Sequence, residues 1–314
     1  MVKFYYTDLI TDKTDEVEDI KLGSWIDMCN PTEEEIKDIC NKLEIEEQTI
    51  KYALDYEEKA RIDQDEEEGT TLYIIDTPII EREDDSIIYS TIPFGVIFVR
   101  DEYIITVSLK NNKLIDKIKA NKNIYTYKKS RLLLQIIYTN AQLFLDSLNN
   151  INKESEVAKG VLKTSMKNKE VLHILDLEKS LVYLATALKS NELVMEKTMR
   201  GKIIKLYEED EDLLEDAIIE NKQAIEMSQI YSNILNTTME AYASIISNNL
   251  NRVMKILTSI TIIIAIPTLI ASFWGMNVPV PFENNSSGFL LMILVSLILT
   301  IIATLWLKKN DMLN

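Results

Sequence analysis

Two long stretches without a charged side chain lie near the C-terminal end of the chain, and they constrain its fold more than any other feature. Residues 256–282 and 284–307 contain no Asp, Glu, Lys or Arg. Positions 256–274 and 288–307 are almost wholly apolar or hydroxyl-bearing, and each segment is close to the roughly 20 residues that a helix needs to cross about 30 Å of hydrocarbon. The sequence therefore predicts two membrane-spanning helices joined by a loop over residues 275–287.

Basic residues flank this predicted hairpin. Arg252 and Lys255 precede the first span, and Lys308 and Lys309 follow the second. Because basic flanks stay on the cytoplasmic side of a membrane, we expect both chain termini in the cytoplasm and the loop outside. The N-terminal residues lack the apolar segment and cleavage site of a signal peptide. These features predict a multi-pass protein of the plasma or inner membrane.

The rest of the chain is strongly acidic. The whole sequence holds 34 Lys and Arg against 50 Asp and Glu, a formal net charge of −16. Residues 252–314 contribute four cations and two anions, so the part before them carries −18. A nucleic-acid binder needs a basic face, so this composition excludes that class. Cys29 and Cys40 have no partners at metal-ligand spacing, which argues against a disulfide framework or a zinc cluster.

The acidic part changes character near residue 130. Before that point, five runs rich in β-branched and aromatic residues predict strands, and the last four are expected to pair as antiparallel hairpins, with polar turns at 81–86 and 100–102. The five runs are residues 2–7, 72–75, 87–92, 95–99 and 103–107. A helix start is predicted at residues 30–35, which offer a capping residue, a proline at the first position and acid in the first turn.

Helical periodicity replaces the strand pattern from Arg131 onward. An acidic turn is predicted at residues 208–212 between the last two helices, and only Pro267 interrupts residues 213–274. The chain is therefore predicted to be an α+β/α membrane protein. Its predicted parts are a cytoplasmic α/β domain (1–130), a long-helix stalk (131–251), a first span (252–274), an outer loop (275–287), a second span (288–307) and a basic tail (308–314).

One face of the first span is polar or small. Seven positions recur at alternating spacings of three and four residues: Asn251, Met254, Thr258, Thr261, Ala265, Thr268 and Ser272. Such a heptad seam faces a common axis when parallel copies of a helix associate, and polar groups in a membrane face protein or water rather than lipid. The seam predicts a pore-lining helix. Close helix packing, with hydroxyls bonded to their own backbone, explains the same pattern without a pore.

The first span ends in Phe273-Trp274-Gly275-Met276-Asn277. A Gly-Met-Asn triplet that ends the first of two C-terminal spans, before a short outer loop and a basic tail, resembles the signature of the CorA family of magnesium channels. Residues 251–258 resemble the cytoplasmic pore entrance of that family, and Pro267 falls where the family has a proline in its pore helix. Further matching segments lie in the soluble part, at residues 24–27, 30–35, 53–55, 61–63, 91–95 and 104–107.

This resemblance implies a homopentamer with a funnel-shaped α/β domain, a stalk helix that continues into the pore-lining span, and second spans that form an outer ring. It also implies a selectivity filter at Gly275, Met276 and Asn277. Five Asn277 amides would bind hydrated Mg²⁺, while Gly275 and Met276 serve as scaffold. A structural alternative for Gly275 is a left-handed residue that ends the helix, and for Asn277 an ordinary turn residue.

The same resemblance assigns roles at the two ends of the pore. Met254 and Leu257 resemble the apolar constriction of the family, which can gate by dewetting, and Asn251 would form a second amide ring at the inner end. Glu283 is the only acid of the outer loop. It either concentrates cations at the mouth or is an ordinary solvated charge.

The family closes in response to intracellular Mg²⁺ bound between subunits, so the resemblance also implies a regulatory site. The stalk aspartate of the family aligns with Asp216, but its acidic pair aligns with Lys51 and Tyr52, and neither side chain is a Mg²⁺ ligand. The nearest acid is Asp55. Two hypotheses stay open: a displaced metal site formed by Asp55 and Asp216, or regulation that is weak or located elsewhere.

The resemblance, together with the polar seam, implies a passive channel for Mg²⁺ uptake, with Co²⁺ or Ni²⁺ as secondary ions. One alternative is a Zn²⁺ transporter of the same superfamily, although the intact triplet and the absence of Cys/His clusters argue against it. Another is a non-conducting, membrane-anchored cation sensor, which would have no use for the seam. An enzyme is not expected, because the sequence has no recognisable nucleophile–base set. His173, the only histidine, is expected at the surface or in helix packing.

Overall fold

A computed structural model describes residues 1–83, 86–121, 123–164, 168–201, 203–278, 280 and 287–313. The chain divides into two compact units, Met1–Asn236 and Thr237–Asn314. The first unit contains a β-sheet with helices on both of its faces, and the second contains the two apolar segments.

Seven described strands form one sheet in the first unit. They are β1 (Val2–Asp8), β2 (Lys13–Val17), β3 (Trp25–Cys29), β4 (Arg61–Asp65), β5 (Thr70–Glu83), β6 (Ser86–Val99) and β7 (Tyr103–Ser108). The strand order is β2-β1-β3-β7-β6-β5-β4. Every neighbouring pair is antiparallel except β3 and β7, which run parallel with Trp25 opposite Ile104.

The helices are numbered in the same way. They are α1 (Glu33–Leu43), α2 (Glu47–Tyr52), α3 (Lys113–Ala120), α4 (Lys129–Thr164), α5 (Asn168–Gly201), α6 (Glu208–Trp274) and α7 (Gly288–Lys309). Helix α6 is continuous over 67 residues and includes the first predicted span, while α7 corresponds to the second.

The two faces of the sheet bury separate cores, as expected for strands whose side chains alternate between faces. Tyr73 and Ile75 of β5 pack into the core that also contains buried residues of α3, α4 and α5. Ile74, between them, packs into the core that contains the buried residues of α1 and α2. Helices therefore pack on both faces of the sheet.

The strand predictions are confirmed for the hairpins β5–β6 and β6–β7, but the break between 87–92 and 95–99 is wrong. Strand β6 continues through Pro93. In the register, Pro93 lies opposite Asp76, whose own N–H bonds to the side chain of Asn191 instead. No ladder bond is lost at the proline nitrogen, so a continuous strand tolerates it.

The turn predicted at 81–86 is also too long, because β5 extends to Glu83 and β6 starts at Ser86. Residues 84 and 85 lie outside the described residues. Strands β2, β3 and β4 were not predicted. Strands β2 and β4 are polar, KTDEV and RIDQD, and form the two outer strands of the sheet, where the apolar alternation that marks a strand is absent. Strand β3, WIDMC, lies inside the sheet between β1 and β7, and it is buried almost continuously rather than in alternation.

Two helix starts differ from the prediction. The cap of α1 is Thr32, with Pro31 before it, and Thr32 forms a capping box with Glu35. The acidic turn predicted at 208–212 is wrong, because these residues form the first turn of α6. Carboxylates at a helix N-terminus interact favourably with its dipole, which explains why an acidic run starts the helix rather than interrupting it.

Candidate ion pathway

Helices α6 and α7 are long and apolar enough to cross a membrane. The predicted seam lies on α6, and all of its positions are exposed in the single chain. These positions are Asn251, Met254, Thr258, Thr261, Ala265, Thr268 and Ser272. Leu257, the other residue predicted at the constriction, is exposed beside Met254. The seam therefore forms one continuous face that nothing in the described part of the chain covers.

A different face of α6 is partly buried. Its residues recur with the same three-and-four spacing: Ile256, Ser259, Ile263, Ile266, Ile270 and Trp274. Each lies two positions, about 200° around the helix, from a seam residue. The partly buried face is therefore roughly opposite the seam.

Ser259 shows what lies against that opposite face. Its hydroxyl is fully buried and lies 2.9 Å from the carbonyl oxygen of Met312, just beyond the end of α7, and 2.8 Å from the carbonyl oxygen of Lys255. Helix α7 also has a partly buried face, whose middle positions carry small side chains. Its residues are Met292, Ser296, Thr300, Ala303 and Leu307. Sequence reasoning missed Ser259, although a serine in an otherwise Ile-rich face was the available signal.

The seam hydroxyls bond to their own helix. Thr261 donates to the carbonyl of Leu257 at 2.9 Å, Thr268 to Ile264 at 2.9 Å, and Ser272 to Thr268 at 2.8 Å. This is the arrangement expected for simple packing, yet it also has a chemical consequence. A hydroxyl that donates its hydrogen bond to a backbone carbonyl presents only acceptor lone pairs on its exposed side. Such a surface accepts hydrogen bonds from water.

The triplet follows directly after α6. Gly275 continues the helical bonding, because its N–H donates to Ala271 O at 3.0 Å. Gly275 is not among the described residues with positive φ, so its predicted alternative as a left-handed helix end is wrong. Met276 and Asn277 are exposed beyond the helix. Of the predicted outer loop, residues 279 and 281–286, with Glu283, lie outside the described residues.

The two residues predicted for the regulatory site lie on different elements of the first unit. Asp216 is exposed on α6, about two turns from its start. Asp55 is exposed in the turn after α2, where one carboxylate oxygen accepts from the N–H of Glu57 at 3.0 Å. Among the described residues, no group of three or more His, Cys, Asp or Glu side chains is placed to hold a metal ion within one chain.

Lys51 and Tyr52, which align with the acidic pair of the family, make contacts within the first unit. Lys51 forms ion pairs with Glu47 at 2.9 Å and Glu33 at 3.0 Å, and the ring of Tyr52 packs under the guanidinium of Arg61. These contacts hold α2 against α1 and β4. His173 is half-buried, with Nε2 3.7 Å from a carboxylate oxygen of Glu154, which places it in packing between α4 and α5.

An α/β unit whose last helix continues into an apolar segment of membrane-spanning length, followed by a second such helix, is typical of an integral membrane protein. Residues 22–309 match the family described as CorA-like Mg2+ transporter protein. The chain belongs to this family.

Similar proteins agree over nearly the whole length. The cobalt/magnesium transport protein CorA of Methanocaldococcus jannaschii is 29% identical over 306 residues, which cover 94% of this chain and 93% of that protein. The complete structure of the CorA magnesium transporter from the same organism has a TM-score of 0.85 at 25% identity, covering 99% and 98% of the two chains. The cytoplasmic domain of ZntB from Vibrio parahaemolyticus has a TM-score of 0.61 over 78% of this chain at 12% identity and shares the fold alone.

Proposed function

We propose that this chain forms a homopentameric channel through which Mg²⁺, with Co²⁺ or Ni²⁺ as secondary ions, enters the cytoplasm. The observation that carries the proposal is the exposed seam of α6, which leads to Gly275-Met276-Asn277. The seam lies roughly opposite the face of α6 on which Ser259 contacts the chain just beyond α7. The relative from Methanocaldococcus jannaschii is a cobalt/magnesium transport protein, which supports both ions as cargo.

In this arrangement five α6 helices surround the axis and five α7 helices form an outer ring. Residues 1–130 form the cytoplasmic α/β domain and 131–251 the stalk. Residues 252–274 line the pore, 275–287 form the outer loop, 288–307 the second span, and 308–314 a cytoplasmic basic tail. Both termini then face the cytoplasm, since the basic flanks of both spans lie on that side.

Asn277 acts as the filter in this proposal. Mg²⁺ gives up its water shell reluctantly and prefers six oxygen ligands, so a ring of amide carbonyls binds the hydrated ion rather than the bare one. Neutral amides bind weakly enough for the ion to leave again, as conduction requires. Gly275 and Met276 position the ring beyond the end of α6.

The seam carries the hydrated ion onward. Water bound to Mg²⁺ points its hydrogens outward, and the acceptor lone pairs of Thr268 and Thr261 suit those hydrogens. Met254 and Leu257 provide an apolar constriction farther along, and Asn251 a second amide ring. No coupled reaction is needed, because two charges that cross 100 mV release roughly 4.6 kcal/mol.

Intracellular Mg²⁺ closes the channel in this proposal. Five soluble parts that each carry −18 repel one another around the axis, and bound divalent cations reduce that repulsion. Asp55 and Asp216 are the candidate ligands. Both are exposed on the single chain, so neighbouring subunits can bring them to a shared ion.

Flux of Mg²⁺ into liposomes under an inside-negative potential tests the proposal. The parent protein is compared with Asn277→Ala and with a matched control, Asn123→Ala, an exposed residue before α4. We expect flux in the parent and the control and a collapse in Asn277→Ala. Equal flux in all three would move the filter away from Asn277. Passage of Zn²⁺ without Mg²⁺ would favour a zinc transporter. Absence of any ion flux would favour a non-conducting sensor.

A further inference from the structure

A cavity of about 520 Å³ lies in the first unit between strand β5, the start of α3 and the middle of α4. Four lysines line it, Lys110, Lys113, Lys117 and Lys153, against two acids, Glu81 and Asp146. In a chain with a net charge of −16, this is a concave site of locally positive charge. The local charge of this site is opposite in sign to the net charge of the protein, which calls for a specific explanation.

Two of the four lysines are already paired. Lys110 Nζ lies 2.9 Å from Glu81, and Lys117 Nζ lies 2.8 Å from Asp146, which neutralises both acids of the cavity. Lys113 and Lys153 are exposed, and their side chains have no ion pair or hydrogen bond with any described residue. The uncompensated charge of the cavity is therefore that of these two ammonium groups.

Asn112 supplies an independent observation that points to a ligand. It is the N-cap of α3, only 6% exposed, and its Oδ1 accepts from the N–H of Ile115 at 3.2 Å. This bond fixes the orientation of the amide and leaves Nδ2 as a donor. Nδ2 is buried without a hydrogen-bond partner among the described residues, and Asn112 lines the same cavity. A buried unpaired donor is costly, so an acceptor in the cavity would stabilise it.

The start of α3 adds further donors. The N–H groups of a first helical turn have no carbonyl partner inside the helix, and the Asn112 cap bonds to that of Ile115. Helix N-termini with such groups bind anions, and phosphate above all. Lys113 is itself the first residue of α3, so its charge sits at this end of the helix.

We propose that this cavity binds the phosphate group of a small phosphomonoester, of the size of a mononucleotide. A phosphomonoester carries about −1.5 to −2 charge near neutral pH, which matches the two unpaired lysines better than a single carboxylate would. The volume is far larger than a phosphate ion needs and falls within the range of small-molecule sites, about 300–1,000 Å³. Ile79 and Leu143 offer apolar contact, and Asn149 and Asn150 offer amides, to the remainder of the ligand.

Calorimetric titration of the purified full-length chain with adenosine monophosphate, at low salt and without Mg²⁺, tests the site. The double variant Lys113→Gln/Lys153→Gln removes both free charges. Asn112→Asp keeps the helix cap, because Asp caps as well as Asn, but it places a carboxylate against the phosphate. The charge-matched control is Lys37→Gln/Lys189→Gln, which changes two exposed lysines without ion pairs in the described structure.

We expect saturable binding by the parent and by the control, and a loss of affinity of about tenfold or more in each of the two cavity variants, since each disrupts charge-assisted bonds. Inorganic phosphate should bind more weakly than adenosine monophosphate. Thermal unfolding of Asn112→Asp checks that the fold is kept. Absence of saturable binding by the parent, or equal affinity in the cavity variants and the control, would overturn the proposal. None of these outcomes depends on ion flux.

Discussion

Asn191 of α5 bonds to both backbone groups of Asp76 on β5, as a neighbouring strand would. Its Oδ1 accepts from the Asp76 N–H at 2.8 Å and its Nδ2 donates to the Asp76 carbonyl at 2.8 Å. Asn140 of α4 donates to the same carbonyl at 2.7 Å. Strand β4 pairs with β5 only as far as Ile74, so these two amides replace the missing strand and close the open edge.

Asn191→Ala should therefore destabilise this part of the sheet. The variant leaves the Asp76 N–H without its acceptor in a largely buried place, at a cost of about 1–3 kcal/mol. Hydrogen exchange of the amides around Asp76 measures the effect locally, and faster exchange is expected there. Ser190→Ala is the control, because the Ser190 hydroxyl bonds only to its own helix, at Thr186. Unchanged exchange at Asp76 in Asn191→Ala would show that the amide clamp is not needed.

The carboxyl group of Asp76 makes stability depend on pH. Burial raises its pKa from the ordinary 3.8 to about 7, so the folded chain holds this proton more tightly than the unfolded chain does. The contribution of Asp76 to stability is therefore most favourable below about pH 4 and declines as the pH rises towards 7, where the buried group must ionise.

Asp76→Asn removes that ionisation while it keeps the size of the side chain. We expect the variant to unfold at a higher temperature than the parent at about pH 8 and at nearly the same temperature at about pH 4. Asp116→Asn, an exposed residue of α3, is the control and should follow the parent at both pH values. Parallel curves for Asp76→Asn and the parent would mean that the group does not titrate in this window.

The sequence predicts the membrane part better than the sheet, for physical reasons. An uncharged segment of about 20 residues has few alternatives to a span, so α7 coincides closely with its prediction. The edge strands β2 and β4 carry no apolar pattern, because each has only one neighbouring strand and lies largely exposed. Long-range contacts are hidden in the same way, since Asn191 and Asp76 lie 115 residues apart.

Part of the candidate site was also open to prediction. The seam can be predicted from the spacing of its residues alone. That it lies opposite the partly buried face of α6 becomes clear only from the structure, through the contact of Ser259 with Met312. The structure also explains why the two family-like segments at 53–55 and 91–95 carry small residues where they meet. A Cβ on Gly95 would lie 2.5 Å from the Cβ of Ala53, so only glycine lets these two segments approach so closely.

Thr268→Val tests whether the seam contacts hydrated ions. Valine keeps the shape of the side chain but removes the oxygen that accepts from water. We expect Mg²⁺ flux into liposomes to fall about five- to tenfold, the effect of losing roughly 1 kcal/mol of hydrogen bonding. Thr304→Val makes the same change on α7, away from the seam, and should conduct like the parent. Equal flux in both variants would indicate that the Thr268 hydroxyl only serves helix packing.

Asp216→Ala tests the proposed displaced regulatory site. If Asp216 holds intracellular Mg²⁺ that favours closure, its loss lowers the affinity of the closed state for the ion. The Mg²⁺ concentration that halves the flux should then rise about fivefold or more. Asp55→Ala should shift it in the same direction, and the double variant should add little, because both side chains serve one ion. Glu215→Ala, the exposed neighbour on α6, provides the matched control for removing one acid from the stalk. Inhibition of Asp216→Ala at the concentration of the parent would remove this residue from the sensor and leave regulation to groups elsewhere in the acidic part.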